Sequence, residues 1–128
     1  MGHTTLLQPY LERVDASGET ALIYFEGRFS HAIRKGAMLQ AGESPTDQLF
    51  AAETITARKP TPAELSVGEQ AVRAIPGGPL LYARVDLILD AADRPVVLEL
   101  ELTEPSVFLL HDAGSADRFA RLIIARAR

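Results

Sequence analysis

Two neighbouring segments near the end of the chain alternate between apolar and polar residues, and this pattern constrains the fold more than any other feature. They cover residues 80–90 and 95–103, and most of both lies within "YARVDLILDAADRPVVLELELTEPS", residues 82–106. A period of two residues is typical of a β-strand with one face buried. The turn "AADR" separates the segments, so the pattern predicts an antiparallel hairpin.

The charged residues of this hairpin fall on one face. If the two residues that flank the loop 91–94 pair, the antiparallel register sets Asp86 opposite Glu99 and Arg84 opposite Glu101. Opposed side chains lie about 4.5–5.5 Å apart at Cβ, so two carboxylates placed there repel unless a cation lies between them. Mg²⁺ takes oxygen ligands, often carboxylates together with phosphate oxygens, and a guanidinium matches phosphate geometry. The spacing indicates a metal–phosphate platform.

A simpler interpretation of the same face remains open. A half-exposed antiparallel strand alternates apolar and polar residues as a matter of course, and "VLELELT" has that form. Arg84 and Glu101 would then be an ordinary cross-strand ion pair. A slip of one residue in the register would also move the acids off this face.

Further strands and helices are predicted along the rest of the chain. The patterns predict a strand at 5–11, a hairpin over 20–35 turning at Glu26-Gly27, a helix capped by Thr61 and a last helix capped by Ser115. Residues 36–58 show no periodicity, so we expect an irregular, mobile segment. The order β-β-β-α-β-β-α predicts one α+β domain over residues 1–128, with an antiparallel sheet built from two hairpins and helices packed on one face.

Composition excludes several function classes. The net charge of −4 disfavours nucleic acid as a partner. The chain has no cysteine, so it has neither disulfides nor a thiolate metal site. No apolar run approaches the ~20 residues of a membrane span, and no signal-peptide pattern is present. These features fit a cytoplasmic protein and are compatible with a homo-oligomer.

Two segments carry a resemblance to a known family. Residues 82–106 resemble the C-terminal metal-binding hairpin of the ATP-grasp superfamily, in which an Arg-x-Asp strand, a turn and a Glu-x-Asn strand precede a Pro-Ser/Thr/Gly loop. The upstream segment "GETALIYFEGRFSHAIRK" is similar to a hairpin of the glutathione synthetase and ribosomal-protein modification branch. These enzymes use ATP to activate a carboxylate as an acyl-phosphate, which an amine or similar nucleophile then attacks.

The resemblance implies roles for individual residues. Arg84 would be catalytic and, with Lys35, would bind the nucleotide phosphates. Mg²⁺ or Mn²⁺ would be held by Asp86, Glu99 and Glu101. Ser106 would lie in the loop that approaches the substrate. The implied cofactors are ATP and Mg²⁺, and the implied partners are a carboxylate and an amine of unknown identity.

The chain departs from the family pattern in three respects. Glu101 stands where most members have Asn, and the substrate segment is hard to recognise in residues 36–59. Members are usually two to three times longer, with the adenine pocket and a phosphate-binding lysine supplied upstream. The chain is therefore expected to be a C-terminal portion that is inactive alone.

Two other function classes remain open at this stage. One is a non-enzymatic interaction module whose acidic hairpin is only surface. The other is a metal-dependent nuclease, which is less favoured because Glu101 occupies the position where that motif has a basic residue. Binding of Mg²⁺ and ADP distinguishes the ligase interpretation from both.

Overall fold

The computed structural model describes residues 4–5, 7–36 and 54–127 of the chain. Its strands are β1 (Glu19–Phe25), β2 (Arg28–Lys35), β3 (Ile55–Arg58), β4 (Tyr82–Leu89) and β5 (Pro95–Glu101). Its helices are α1 (Arg13–Ser17), α2 (Pro62–Arg73) and α3 (Ser115–Arg126), with a 3₁₀ turn at Leu109–His111. The strands form one antiparallel sheet in the order β3-β2-β1-β4-β5. The predicted α+β class is confirmed.

The register between β4 and β5 places the charged residues as predicted, although by a different route. Arg84 pairs with Glu101 and Asp86 with Glu99, but at the turn it is Leu89, and not Asp90, that pairs with Pro95. A bulge in β5 restores the register between Asp86 and Leu87. A bulge adds one residue to one strand, so it offsets the longer turn.

The hairpin turn and the helix cap follow the local sequence signals. Glu26 and Gly27 both have positive φ, at 49° and 73°, as a tight two-residue hairpin turn requires. The Thr61 hydroxyl accepts the amide hydrogen of Glu64, and the Glu64 carboxylate accepts that of Thr61. This reciprocal pair is a capping box, and Pro62 fills the first helical position.

The two long helices cover opposite faces of the sheet, so the prediction that helices pack on one face was wrong. Leu22 and Tyr24 of β1 pack in the cluster that contains Val72 of α2. The alternate residues Ile23 and Phe25 pack with the segment after β5 and with α3. The cause is the run "ALIYF" of β1, which is apolar at every position and is therefore buried on both faces.

Two further segments differ from the prediction. In residues 7–11 the structure has no strand, and the short helix α1 follows. The strand β3 lies inside the segment 36–58 that was expected to be irregular, because its four residues pair with the end of β2. The rest of that expectation falls on residues 37–53, which lie outside the described residues. None of the helices in the described part has the length and apolar character to cross a membrane.

Candidate functional site

A cluster of charged side chains lies on the sheet face that packs with the segment after β5, and Arg84 is at its centre. The Nε of Arg84 donates to Asp86 Oδ1 at 2.8 Å, and Nη2 donates to Asp86 Oδ2 at 2.9 Å. Residues two apart on a strand share a face, which is why this intrastrand contact forms. Both side chains are largely buried, at 7% and 1% exposure. A bidentate pair of this kind fixes the plane of the guanidinium.

Lys35 joins the cluster from the end of β2, across the intervening strand β1. Its Nζ donates to Asp86 Oδ2 at 2.6 Å and lies 3.4 Å from Glu19. Burial opposes the charged form of Lys35, but the hydrogen bond and the charge of Asp86 outweigh it and raise the pKa of Lys35. The same balance of burial against Asp86 raises the pKa of Arg84. Both cations therefore stay charged.

Two glutamates of β5 form the open side of the cluster. Glu101 accepts a hydrogen bond from Arg84 Nη2 at 2.7 Å. Glu99 is 53% exposed and lies 3.9 Å from the same nitrogen. Burial, together with the charges of Glu101 and Asp86, raises the pKa of Glu99. Glu99 is thus a carboxylate without enough positive charge nearby.

The donor set suits a hard cation, although Asp86 is already engaged. Four carboxylates, Glu19, Asp86, Glu99 and Glu101, face two cations, Lys35 and Arg84. Within the described ranges no three acidic or histidine side chains are arranged to hold a metal ion as they stand. Both oxygens of Asp86 accept hydrogen bonds from the cations, whereas Glu101 accepts one bond from Arg84 and the exposed Glu99 accepts none among the described residues. Oxygen ligands of this type are those that Mg²⁺ prefers.

The loop after β5 reaches the cluster through the backbone of Ser106 and the ring of Phe108. Arg84 Nη1 donates to the carbonyl oxygen of Ser106 at 3.4 Å. The ring of Phe108 lies under the guanidinium, 5.8 Å from ring centroid to Cζ. The structure therefore brings the predicted Ser106 next to Arg84, and all five predicted residues of the hairpins into one cluster.

An apolar slot of about 280 Å³ adjoins this cluster, and the sequence interpretation missed it. Glu19 lies in both the slot and the cluster. Ile88, which lines the slot, is two residues after Asp86 on β4 and shares its sheet face. The slot is lined by Gln8, Pro9, Tyr10, Leu11, Val14, Glu19, Ile88 and Leu98. Pro9 was the available signal, because proline is excluded from the interior of a sheet and argues against a strand at 5–11.

Comparison with known proteins identifies relatives of this chain. It is 38% identical to the cycloserine biosynthesis protein DcsG of Streptomyces lavendulae in an alignment of 135 positions that covers 99% of this chain and 44% of DcsG. No family model matches the chain. The crystal structure of D-cycloserine synthetase DcsG superposes with a TM-score of 0.80 at 38% identity, over 94% of this chain and 42% of that one.

More distant structures share the fold. A D-alanine–D-alanine ligase from Bacillus anthracis gives a TM-score of 0.55 at 18% identity, over 84% of this chain and 38% of the ligase. The ATP-grasp ligase PsnB gives 0.50 at 21% identity, over 83% of this chain and 32% of PsnB. The chain thus spans less than half the length of these relatives. The chain is thus similar to DcsG over nearly its whole length, and its antiparallel sheet has the fold of part of the ATP-grasp ligase PsnB.

Proposed function

We propose that this chain is the phosphate- and metal-binding C-terminal part of an ATP-grasp ligase. The whole enzyme would activate a carboxylate as an acyl-phosphate for attack by an amine or a similar nucleophile, in the cytoplasm. The relationship to DcsG supports this function over an interaction module or a nuclease.

The observation that carries the proposal is the position of the apolar slot beside the charged cluster. A mostly apolar slot of about 280 Å³, lined by residues 8–11 of the coil, offers a surface on which a nucleotide base could pack. Base binding there would direct the phosphates toward Lys35 and Arg84. Part of the adenine pocket would then belong to this chain, and not only to an upstream segment.

The excess of carboxylates is the reason for proposing a metal at this site. Phosphates approaching four carboxylates would be repelled unless a divalent cation lay between them. Glu99 and Glu101 would hold Mg²⁺ or Mn²⁺ first, and Asp86 would add an oxygen if Lys35 or Arg84 turned toward the phosphates. The metal, when bound, would neutralise charge on the phosphate oxygens.

Arg84 is the residue proposed to act on the reacting atoms. Its guanidinium is always charged, and its pKa is raised further by Asp86. Three carboxylates share it, so it could exchange an acidic partner for a phosphate oxygen without leaving the cluster. In that position it would stabilise the charge that develops during phosphoryl transfer. Ser106 would lie beside the carboxylate substrate.

Structural neighbours provide a precedent for the cofactors. PsnB has been solved with Mg and ADP, and the B. anthracis ligase with ATP. The proposal brings the same cofactors, ATP with Mg²⁺, to this chain.

Calorimetric titration with MgADP tests the proposal directly. The 128-residue chain should bind MgADP weakly, and Glu99→Gln should weaken binding about tenfold, since one charge-assisted metal contact is lost. Glu69→Gln is the matched control, because Glu69 lies on α2 and pairs only with Arg73 among the described residues. The control should bind as the unchanged chain does.

A chimera tests the reaction itself. A chimera in which this chain replaces the matching portion of DcsG should be an ATP-dependent ligase. Glu99→Gln in the chimera should abolish the release of ADP. The 128-residue chain alone should release no ADP from ATP. Failure of the chain to bind MgADP, or a chimera whose ADP release is indifferent to Glu99→Gln, would refute the proposal.

A further inference from the structure

His31 is buried on the same sheet face as Arg84, and its ring bridges distant parts of the chain. The residue lies on β2 at 6% exposure, edge-on to the ring of Phe25. Its Nε2 lies 2.9 Å from the carbonyl oxygen of Val107, in the loop after β5. Because a carbonyl oxygen only accepts, Nε2 must carry the hydrogen.

The other ring nitrogen is held by a chain of hydrogen bonds that all run in one direction. Arg118 of α3 donates to the Ser30 hydroxyl at 3.0 Å, and Ser30 lies 2.9 Å from His31 Nδ1. With Nε2 protonated in the neutral ring, Nδ1 is an acceptor, so the Ser30 hydroxyl donates to it. Arg118 is itself anchored by Asp112 at 2.6 Å. The tautomer of His31 with hydrogen on Nε2 is therefore stabilised by hydrogen bonds that begin at Arg118 of α3.

The loop segment that His31 holds is the one that contacts Arg84. Val107 lies between Ser106, whose carbonyl oxygen accepts from Arg84, and Phe108, whose ring lies under the guanidinium. Phe108 has φ 47°, a left-handed conformation that is costly for a bulky side chain. Such a conformation persists only where the surroundings over-determine it. The His31–Val107 hydrogen bond is one such restraint.

We propose that His31 is a positioning residue, which holds residues 106–108 so that they restrain the Arg84 guanidinium together with its bidentate pair to Asp86. His31 does not touch the proposed phosphates. The effect on nucleotide binding rests on the proposed function of Arg84, whereas the effect on Arg84 itself does not. Asp112, Arg118 and Ser30 extend the same restraint to α3.

A matched pair of amide substitutions tests this role. His31→Gln keeps a donor that can reach Val107, and His31→Asn is one methylene shorter and cannot. In ¹⁵N-labelled protein, the Arg84 Nε–H resonance, assigned by comparison with Arg84→Lys, should shift in His31→Asn and return toward its original position in His31→Gln. MgADP affinity should fall about three- to tenfold in His31→Asn, which corresponds to one lost hydrogen bond.

A structural control separates positioning from general destabilisation. Val72→Ala on the opposite sheet face should lower the melting temperature without moving the Arg84 resonance. If His31→Asn does not fold, His31→Phe, which keeps the aromatic packing on Phe25, takes its place. A folded variant whose Arg84 resonance is unchanged, or a Val72→Ala shift of equal size, would overturn the inference. If the unsubstituted chain fails to bind MgADP, only the proposed function is contradicted. The resonance comparison still decides the role of His31.

Discussion

The two faces of β4 are equally buried but differ in chemistry. On one face, Val85 and Leu87 pack at 0% and 1% exposure against the α2 side of the core. On the other, the side chains of Arg84 and Asp86 are at 7% and 1% exposure and make a bidentate ion pair. Apolar burial stabilises the fold directly, whereas a buried ion pair roughly offsets its own desolvation. The charged face is thus better explained by function than by stability.

The largest effect is expected from breaking the buried pair on the charged face. Asp86→Ala would leave the buried cations Arg84 and Lys35 without their shared carboxylate, which should lower the free energy of unfolding by about 3–5 kcal/mol. Urea denaturation measures it. Leu87→Ala, one residue along on the apolar face, should cost about 2–5 kcal/mol through a cavity. Added salt should change neither loss strongly, because a buried ion pair is screened far less than an exposed one.

A loss below about 1 kcal/mol in Asp86→Ala would contradict the buried network.

The apolar face can also be tested by overpacking. A Cβ at Gly68 of α2 would lie closer than 3.0 Å to the Tyr24 hydroxyl and to Leu22 Cδ1. Alanine improves helix propensity by about 1 kcal/mol, but forced contacts in a packed core cost about 1–3 kcal/mol. Gly68→Ala should therefore lower the free energy of unfolding by roughly 1 kcal/mol, measured in urea.

The Tyr24 hydroxyl supplies the matched control. It is buried without a hydrogen-bond partner among the described residues, and burial raises the pKa of Tyr24 to about 12. Tyr24→Phe should be near neutral, since an unpaired buried hydroxyl is removed. In the double variant, part of the Gly68→Ala loss should be recovered. Strict additivity would show that the hydroxyl is not the group that clashes.

Much of the charged face could be predicted from sequence because its information is local. Alternation sets which residues of a strand share a face, so Arg84, Asp86, Glu99 and Glu101 were grouped correctly. The pairing of Lys35 with Asp86 was beyond this reasoning, since it crosses β1 and depends on the strand order.

The apolar face and the slot were predicted less well for a physical reason. The fully apolar run in β1 indicates burial on two sides but does not say which helix covers which side. The bulge in β5 leaves the alternation at Glu99 and Glu101 unchanged, so only pairing reveals it. Residues 8–11 are mostly apolar without regular structure, and their position against Ile88 depends on tertiary packing.

The effect of pH on stability should be of intermediate size and should arise from His31, on the charged face. Burial, assisted by the charge of Arg118, lowers the pKa of His31 below 6.5, although Val107 and Asp112 act in the opposite sense. The unfolded chain therefore takes up the proton first as pH falls, and stability should decline below about pH 6.5, by less than 1.4 kcal/mol per pH unit. Urea denaturation at pH 7.5 and 5.5 measures this. His31→Gln should remove that part of the decline, and an identical decline in both proteins would contradict the assignment.

The smallest predicted effect is a gain in stability and not a loss, because Glu99 lies where the charged face has more carboxylates than cations. Burial, with the charges of Glu101 and Asp86, raises the pKa of Glu99 above 4.5. Its contribution to stability is therefore fully present below the unfolded-state pKa of 4.5 and is lost as pH rises through the higher folded-state pKa. Glu99→Gln should stabilise the metal-free chain at pH 7.5, by less than about 1 kcal/mol because solvent screens this exposed side chain.

The stabilisation by Glu99→Gln should depend on protons and on metal in a way that isolates its cause. Near pH 4 Glu99 is itself protonated, so the difference in the free energy of unfolding between the two proteins should vanish. Added MgCl₂ should reverse it at pH 7.5, because a cation that binds only the folded state stabilises the protein that keeps the carboxylate. Urea denaturation under the three conditions provides the measurement. A variant that is less stable than the unchanged chain at pH 7.5 without divalent cations would show that Glu99 is already balanced by Arg84, and that the charged face carries no unmet demand for a cation.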